Sequence, residues 1–411
     1  MADLTIEIDP AEVGLDADRL ARIDQHFQRY TDDGRLAGWL AVVSRRGKIA
    51  HVGMAGQRDL QAGLPVQADT LWRIYSMTKP ITSVAAMMLV ELGAMELTDP
   101  ISRYIPAFAD ARVYVKGSAL KPLTVPVTEP IRVWHLLTHT SGLTYGFHHT
   151  HVTDAIYRAH GFEWGVPKGL DLAAATEAWA GLPLAFQPGA EWNYSVSTDV
   201  LGRVVEVVSG QPLDEFLAGH ILRPLGMTDT SFGVPEGQAE RLAALYNVHP
   251  NTGELFRNTA MGDAALRRPR CLSGGGGLVS SAVDYHRFCQ MLLRRGELDG
   301  HRLLGSRTVD YMTRNHLPGN ADLFSFGRPL FAESPMVGVG FGLGFSVVLD
   351  PAAGKGVCSS GEFAWGGAAS TAFWVDPSEE LTAMFFTQLM PSSTHPIRSQ
   401  LRTLVYQALV D

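Results

Sequence analysis

The sequence predicts an α/β (α+β) fold in which an antiparallel sheet is built from both ends of the chain and flanked by helices. Three observations support this prediction. A hairpin pattern lies near the N-terminus, strand patterns return only after residue 340, and the long section between them has mostly helical periodicity. We therefore expect a sheet domain at residues 1–80 and 270–411, a mostly helical domain at 81–269, and an active site at their junction.

Each predicted element has its own signal. Apolar runs at 39–43 and 49–52 flank a polar turn, which is typical of a β-hairpin. Apolar residues recur at helical spacing in the middle section, for example at 199–208 and 213–222. Further strands are predicted at 342–349, 371–375 and 381–388, followed by a final amphipathic helix at 397–409.

The composition is that of an ordinary globular protein, with 411 residues, 46% hydrophobic residues and 18% charged residues. The net charge of −8 comes without a basic stretch, which argues against nucleic acid or anionic membranes as partners. The first residues lack the pattern of a secretory signal, so we expect a cytoplasmic location. The three cysteines, Cys271, Cys289 and Cys358, form no C-x-x-C pair, which disfavours a disulfide framework or a zinc site.

The segment Ser76-Met77-Thr78-Lys79 carries the strongest chemical signal. Pro80 follows it and apolar residues then recur at helical spacing up to Gly93, so Ser76 is predicted to lie at a helix start. The i,i+3 spacing places Lys79 on the same face of the helix as Ser76. A positioned lysine can act as the base that makes a serine nucleophilic, and the positive end of a helix favours the oxyanion that follows.

The chain contains a second S-x-x-K segment, Ser118-Ala119-Leu120-Lys121. It lies between Gly117 and Pro122 without apolar periodicity, so it is predicted to be a loop. The surrounding pattern, rather than the spacing, therefore favours Ser76. The alternative for Ser76 and Lys79 is a serine-capped core helix with a solvated lysine.

Tyr194, in Trp192-Asn193-Tyr194-Ser195-Val196, is the candidate partner that would relay a proton at a Ser-Lys centre. By itself such a tyrosine is more often a core aromatic residue with a hydrogen-bonded hydroxyl. No serine has the Gly-x-Ser-x-Gly surroundings of a nucleophile elbow, which disfavours that class of hydrolase.

Together with Trp365-Gly366-Gly367, these motifs resemble the β-lactamase-like serine hydrolases and, within them, the family VIII carboxylesterases, over nearly the whole chain. The stretches 135–142, 187–195 and 273–278 add to the resemblance. It implies a β-lactamase-like fold, an acyl-enzyme on Ser76, and Lys79 and Tyr194 sharing the acid and base work. It also implies an oxyanion hole made by the backbone N–H groups of Ser76 and Ala368, the latter on an edge strand, and no cofactor.

Departures from the β-lactamase pattern indicate the substrate. Serine β-lactamases carry Lys-Thr-Gly where this chain has Trp365-Gly366-Gly367, and class C enzymes carry an asparagine at the position of Val196. The missing lysine removes an anchor for the lactam carboxylate, and the missing asparagine removes an amide contact. The resemblance thus favours a carboxylesterase for short- to medium-chain acyl esters with at most weak β-lactam hydrolysis.

Other activities remain open from the sequence. Within the enzyme class they are a β-lactamase, a D-aminopeptidase-like peptidase or an acyltransferase, and outside it a non-catalytic binding or sensor module. The candidate substrate-binding residues are Trp365, Gly366, Gly367, Tyr145, Val196 and Phe363, with Trp164 and Trp192 as further aromatic candidates.

The histidines and the glycine run could suggest other ligands. His135 and His139 lie four apart and His148, His149 and His151 crowd one loop, but there is no His-Glu-x-x-His. The glycines at 274–277 lack the following Lys-Ser/Thr of a phosphate loop. We expect no metal and no cofactor, with a small-molecule ester as the partner; the oligomeric state is left open.

Overall fold

The structure is a computed structural model that describes residues 4–167, 169–328 and 336–410. The α-helices in these ranges are α1 (Ala17–Asp32), α2 (Thr78–Glu91), α3 (Val133–Leu137), α4 (Val152–Ala159), α5 (Leu172–Ala180), α6 (Ser197–Ser209), α7 (Leu213–Leu217), α8 (Thr259–Gly262), α9 (Ala282–Leu293), α10 (Ser306–Met312), α11 (Leu323–Phe326), α12 (Pro351–Gly354) and α13 (Ile397–Tyr406). The strands are β1 (Gly38–Arg45), β2 (Lys48–Asp59), β3 (Leu64–Pro65), β4 (Trp72–Arg73), β5 (Arg112–Ser118), β6 (Lys121–Pro126), β7 (Tyr246–Val248), β8 (Leu255–Arg257), β9 (Val279–Ser280), β10 (Glu297–Leu298), β11 (His301–Arg302), β12 (Val339–Phe341), β13 (Ser346–Val348), β14 (Phe363–Gly366), β15 (Ala372–Asp376), β16 (Leu381–Phe386) and β17 (Leu389–Met390).

The main sheet combines strands from both ends of the chain. Among the described residues it has eight strands in the order β12-β13-β14-β15-β16-β1-β2-β3, and neighbouring strands are antiparallel. The two ends meet where β1 pairs with β16, with Val42 opposite Met384. The predicted fold class, the hairpin β1–β2 and the sheet built from both termini are thereby confirmed.

The central position of β1 explains why its sequence is almost continuously apolar. Leu40 and Val42 face a core shared with α2 and α9, whereas Trp39, Ala41 and Val43 face a second core shared with α1 and α13. Successive side chains of a strand point to opposite faces, so a strand covered on both faces has no polar side. The sheet is thus the middle layer between two layers of helices.

Helix α2 is the buried helix that connects the sheet to the helical section. Buried residues cover nearly every side of it, as expected for a helix surrounded by protein. It ends at Glu91 and is followed by Gly93 with φ of +69°, which confirms the predicted stop. The predicted helices at 199–208, 213–222 and 397–409 are also confirmed, as α6, as α7 with its following turn, and as α13.

The middle section also contains a hairpin, β5–β6, that the sequence did not predict. Its strands are largely exposed, so they lack the buried apolar face that gives a strand its signal. The second S-x-x-K segment spans its turn, since Ser118 ends β5 and Lys121 begins β6. The division into domains at residues 80 and 270 stays a prediction, although residue 80 lies inside α2.

The predicted strand at 342–349 was confirmed only over β13, and the predicted edge position of β14 was wrong. Two short strands, β12 and β13, replace the single strand, because Gly344 turns the chain with φ of +98°. These strands cover β14, which lies between β13 and β15. Pairing with β13 ends at Ala364, however, so Trp365 and Gly366 pair only with Phe373 and Ala372 of β15.

None of the helices in the described ranges is both long enough and apolar enough to span a membrane.

We expect a glycine at position 344 to be required for stability, because the turn it forms packs directly on α2. A Cβ at Gly344 would collide with the Ser83 side chain, and φ of +98° is unfavourable for any other residue. Gly344→Ala should lower the free energy of unfolding by about 3 kcal/mol or more. Gly93→Ala is the matched control, because Gly93 also has positive φ but faces open space, and about 1 kcal/mol is expected there. Equal shifts of the two thermal midpoints would contradict the packing argument.

Candidate active site

Ser76 lies in a strained turn at the entrance to α2. It is the middle residue of a short 3₁₀ helix, Tyr75–Met77, that continues directly into α2. Tyr75 has φ of 42°, a conformation that costs on the order of 1–3 kcal/mol for a non-glycine residue and is concentrated at functional sites. The first N–H groups of a helix have no partner within it, so the N–H of Ser76 is available to a ligand.

Lys79 is a buried cation with a complete set of partners. Its side chain is 2% exposed, and its Nζ donates to Ser76 Oγ at 3.2 Å, to Tyr145 OH at 3.1 Å and to the Gly275 carbonyl at 2.7 Å. An ammonium group has three N–H donors, and these three acceptors use them all. The structure therefore brings the two ends of the S-x-x-K segment into direct contact.

Tyr194 also lies against Lys79. Its ring centroid is 4.5 Å from Lys79 Nζ, and its hydroxyl accepts a hydrogen bond from Trp365 Nε1 at 3.3 Å. His148 Nε2 donates to the Tyr194 carbonyl at 2.6 Å, and burial lowers the pKa of His148. The Tyr194 backbone thus accepts a hydrogen bond from a histidine side chain whose neutral form is favoured by burial.

Tyr145 was expected only to line a pocket, but its hydroxyl contacts Lys79. The two tyrosine rings are 5.4 Å apart, so they flank the lysine together. Burial raises the pKa of Tyr145 well above its usual value, and the negative charge of Asp199 adds to this rise. Tyr145 therefore keeps its proton and acts as a neutral partner of Lys79.

Asp199 is a buried carboxylate near Lys79 that the sequence analysis missed. It accepts hydrogen bonds from the Gly275 N–H at 3.1 Å and from the Ser273 hydroxyl. The carbonyl of the same Gly275 accepts from Lys79, so one glycine connects the acid to the amine. Burial raises the pKa of Asp199, and the charge of Lys79 opposes that rise. A Cβ at Gly275 would lie 2.5 Å from Asp199 Oδ2, so the tetraglycine provides room for this carboxylate.

The end of β14 approaches the nucleophile turn at backbone distance. A Cβ at Gly367 would lie only 2.6 Å from the Ile74 carbonyl, so only glycine permits this packing. Ala368 follows immediately, and it lines the same cavity as Ser76. The two backbone N–H groups predicted to form an oxyanion hole thus belong to segments that pack against each other beside one cavity.

This cavity has a volume of about 350 Å³. Besides Ser76 and Ala368, its wall includes Tyr194, Trp365, Gly366 and Gly367. Within the described chain, the predicted candidates Tyr145, Val196 and Phe363 do not line it. Val196 precedes α6 in the core, and Phe363 packs edge to face on Phe345.

The remaining aromatic and histidine candidates make packing or hydrogen-bond contacts within the protein. Trp192 is buried and stacks on Tyr194, whereas Trp164 is half-exposed and stacks on Phe147. His135 Nδ1 accepts from the Arg132 N–H, and burial lowers the pKa of His135 to about 4. In the described ranges, no group of three or more His, Cys, Asp or Glu side chains could hold a metal ion.

Comparison with known proteins places the chain in a family. The family model described as "Beta-lactamase" matches residues 23–407. Protein Rv1367c of Mycobacterium tuberculosis is 40% identical over 366 residues, which are 88% of each chain. Esterase EstB of Burkholderia gladioli is 32% identical over 417 residues, covering 97% of this chain and 98% of that protein. The solved structure of EstCE1, a hydrolase with promiscuous acyltransferase activity, superposes with a TM-score of 0.80 at 26% identity, covering 95% of this chain and 99% of EstCE1.

The chain therefore belongs to the beta-lactamase family, and it is an enzyme of the β-lactamase-like serine hydrolases with esterases among its relatives. The predicted superfamily and its β-lactamase-like fold are confirmed.

The two tyrosines beside Lys79 are expected to respond differently to loss of their hydroxyl groups. Tyr194 lines the cavity with Ser76 and is the predicted proton relay, so Tyr194→Phe is expected to slow covalent labelling of Ser76 by a fluorophosphonate by ~10²–10⁴-fold. Tyr145→Phe removes only one of the three acceptors of Lys79, and a loss of roughly 10-fold is expected. Labelling rates measured by mass spectrometry distinguish them, and a larger loss in the Tyr145 variant would reverse the assignment.

Proposed function

We propose that this enzyme is a family VIII-type carboxylesterase that hydrolyses short- to medium-chain acyl esters through an acyl-enzyme on Ser76. The observation that carries the proposal is the 3.2 Å contact between Lys79 Nζ and Ser76 Oγ beside the cavity. The Lys79/Tyr194 pair would first lose one proton to solvent, and it would then take the Ser76 proton as Ser76 attacks the ester carbonyl. The alcohol would leave with that proton, and water would then release the acid by the reverse sequence.

The backbone supports the charge that develops in this reaction. As the carbonyl carbon becomes tetrahedral, its oxygen would accept hydrogen bonds from the N–H groups of Ser76 and Ala368. Each such donor is worth roughly 3–4 kcal/mol of transition-state stabilisation in hydrolases that use the same device. Both N–H groups are supplied by backbone packed on backbone, so they need little reorganisation when the charge appears.

Trp365 supports an ester rather than a lactam as substrate. In β-lactamases a lysine at this position anchors the lactam carboxylate, whereas Trp365 offers an uncharged ring and directs its only N–H to Tyr194. A volume of about 350 Å³ is near the lower end of ligand cavities, which suits a small acyl ester. A cytoplasmic location and the absence of nucleic-acid and membrane partners remain predictions.

Acyl transfer is the second candidate. It would use the same acyl-enzyme, with an alcohol in place of water as the acceptor. EstCE1, described as a hydrolase with promiscuous acyltransferase activity, favours this possibility. Adding a small alcohol to the hydrolysis reaction tests it, because a transferase would form the new ester in preference to the free acid. A β-lactamase, a D-aminopeptidase-like peptidase and a non-catalytic module have less support.

Ser76→Ala should abolish hydrolysis of p-nitrophenyl butyrate, because it removes the hydroxyl that would form the acyl-enzyme. Loss of the nucleophile of a serine hydrolase costs on the order of 10⁶ in kcat. Ser118→Ala is the matched control: it changes the serine of the other S-x-x-K segment, which is exposed in the β5–β6 hairpin, and full activity is expected. Thermal unfolding shows whether each variant folds. A folded Ser76→Ala enzyme with wild-type activity would refute the mechanism.

The wild-type enzyme should prefer esters to lactams by a wide margin. Losing a charge-assisted anchor typically costs ~1.5–3 kcal/mol, so kcat/KM for p-nitrophenyl butyrate should exceed that for a chromogenic cephalosporin by ~10–10²-fold. Trp365→Lys should lower the ratio of kcat/KM for the ester to kcat/KM for the cephalosporin, because it places a cation in the cavity wall that Trp365 forms. A wild-type enzyme that cleaves the cephalosporin faster would show that Trp365 does not select the substrate.

A further inference from the structure

Arg398, on the C-terminal helix α13, reaches the end of the strand that carries Gly366 and Gly367. Its Nη2 donates to the Gly367 carbonyl at 3.1 Å and to the Thr371 carbonyl at 3.3 Å. A Cβ at Gly366 would collide with this guanidinium, so the glycine leaves the space that the arginine fills. Arg398 thus bridges the outer helix layer and the turn that lies beside Ser76.

The Gly367 carbonyl and the Ala368 N–H belong to one peptide unit. Because that unit is planar and trans, holding its oxygen also sets the direction in which its N–H points. The oxygen is held twice, by Arg398 and by the Ser370 N–H at 3.2 Å. Among the described residues, no hydrogen bond from the Ala368 N–H is found, and Ala368 lines the cavity. This N–H is therefore directed by its own peptide and remains free to bind a ligand.

We propose that Arg398 is a positioning residue that orients and polarises the 367–368 peptide so that the Ala368 N–H acts as an oxyanion donor. The guanidinium is always protonated and presents several N–H groups in one plane, so it can hold two carbonyls at once. A cation on the carbonyl oxygen draws electron density away from the peptide nitrogen and strengthens its N–H as a donor. The inference rests on the proposed acyl-enzyme at Ser76.

Arg398→Met tests this role, because it removes the guanidinium but keeps most of the apolar stem. Removing a complete oxyanion-hole donor costs ~10²–10³ in kcat, so a misdirected donor should lower kcat for p-nitrophenyl butyrate by ~10–10²-fold. Arg398 also lines the cavity, so a rise in KM at unchanged kcat would show direct substrate contact and contradict the positioning role. Arg307→Met is the matched control, because it removes the same charge from an arginine whose side chain is 91% exposed. This control should keep the wild-type rate.

A thionoester substrate separates positioning from general loss of structure. Sulfur is a much weaker hydrogen-bond acceptor than oxygen, so an intact oxyanion hole favours the oxygen ester. Arg398→Met should reduce kcat/KM for the oxygen ester more than for the matching thionoester, compressing the ratio of the two by roughly 10-fold. A purely structural defect would reduce both alike and leave the ratio unchanged.

Arg398→Lys is measured in parallel and carries the test if the methionine variant does not fold. A single ammonium cannot reproduce the planar guanidinium, so partial compression of the ratio is expected. An unchanged ratio in whichever folded variant is measured would overturn the positioning role. Activity persisting in Ser76→Ala would overturn the proposed function instead, so the two failures are distinguishable.

Discussion

The burial of the Lys79 ammonium is the constraint on which the rest of the site depends. A charge removed from water is tolerated only if all its donors find acceptors, and here they come from three separate parts of the chain. Ser76 is provided by the turn before α2, Tyr145 by the loop after α3, and Gly275 by the glycine-rich loop before β9. These segments must therefore meet at one point for the protein to fold.

The second layer around this cation explains features that seem unrelated in the sequence. Gly275 can offer its carbonyl to Lys79 because Asp199 holds its N–H, and Asp199 fits because Gly275 has no side chain. Likewise, the absence of a side chain lets Gly367 pack against Ile74 and leaves space beside Gly366 for Arg398. In each case a glycine is required by what occupies its side-chain space, not by flexibility.

Local patterns predicted what depends on local interactions. The helix after Ser76, its stop at Gly93 and the β1–β2 hairpin follow from spacing and turn chemistry, and the structure confirms them. The contact of Tyr145 and the place of Asp199 could not be predicted this way, because both depend on segments far apart in sequence. Strand β12 was missed and β13 was predicted too long, because a turn at Gly344 interrupts an apolar run that would otherwise continue as one strand.

Trp365 shows how one residue can affect both chemistry and selectivity. Its indole N–H donates to the Tyr194 hydroxyl, so that oxygen receives a hydrogen bond without receiving a nearby positive charge from this position. A neutral donor orients the hydroxyl and leaves one face of the ring as apolar wall, since the indole has no second polar group. The position of Trp365 itself thus provides no charged anchor for a carboxylate. In the proposed mechanism, a tryptophan in place of a lysine at this position therefore need not weaken the Lys79/Tyr194 pair.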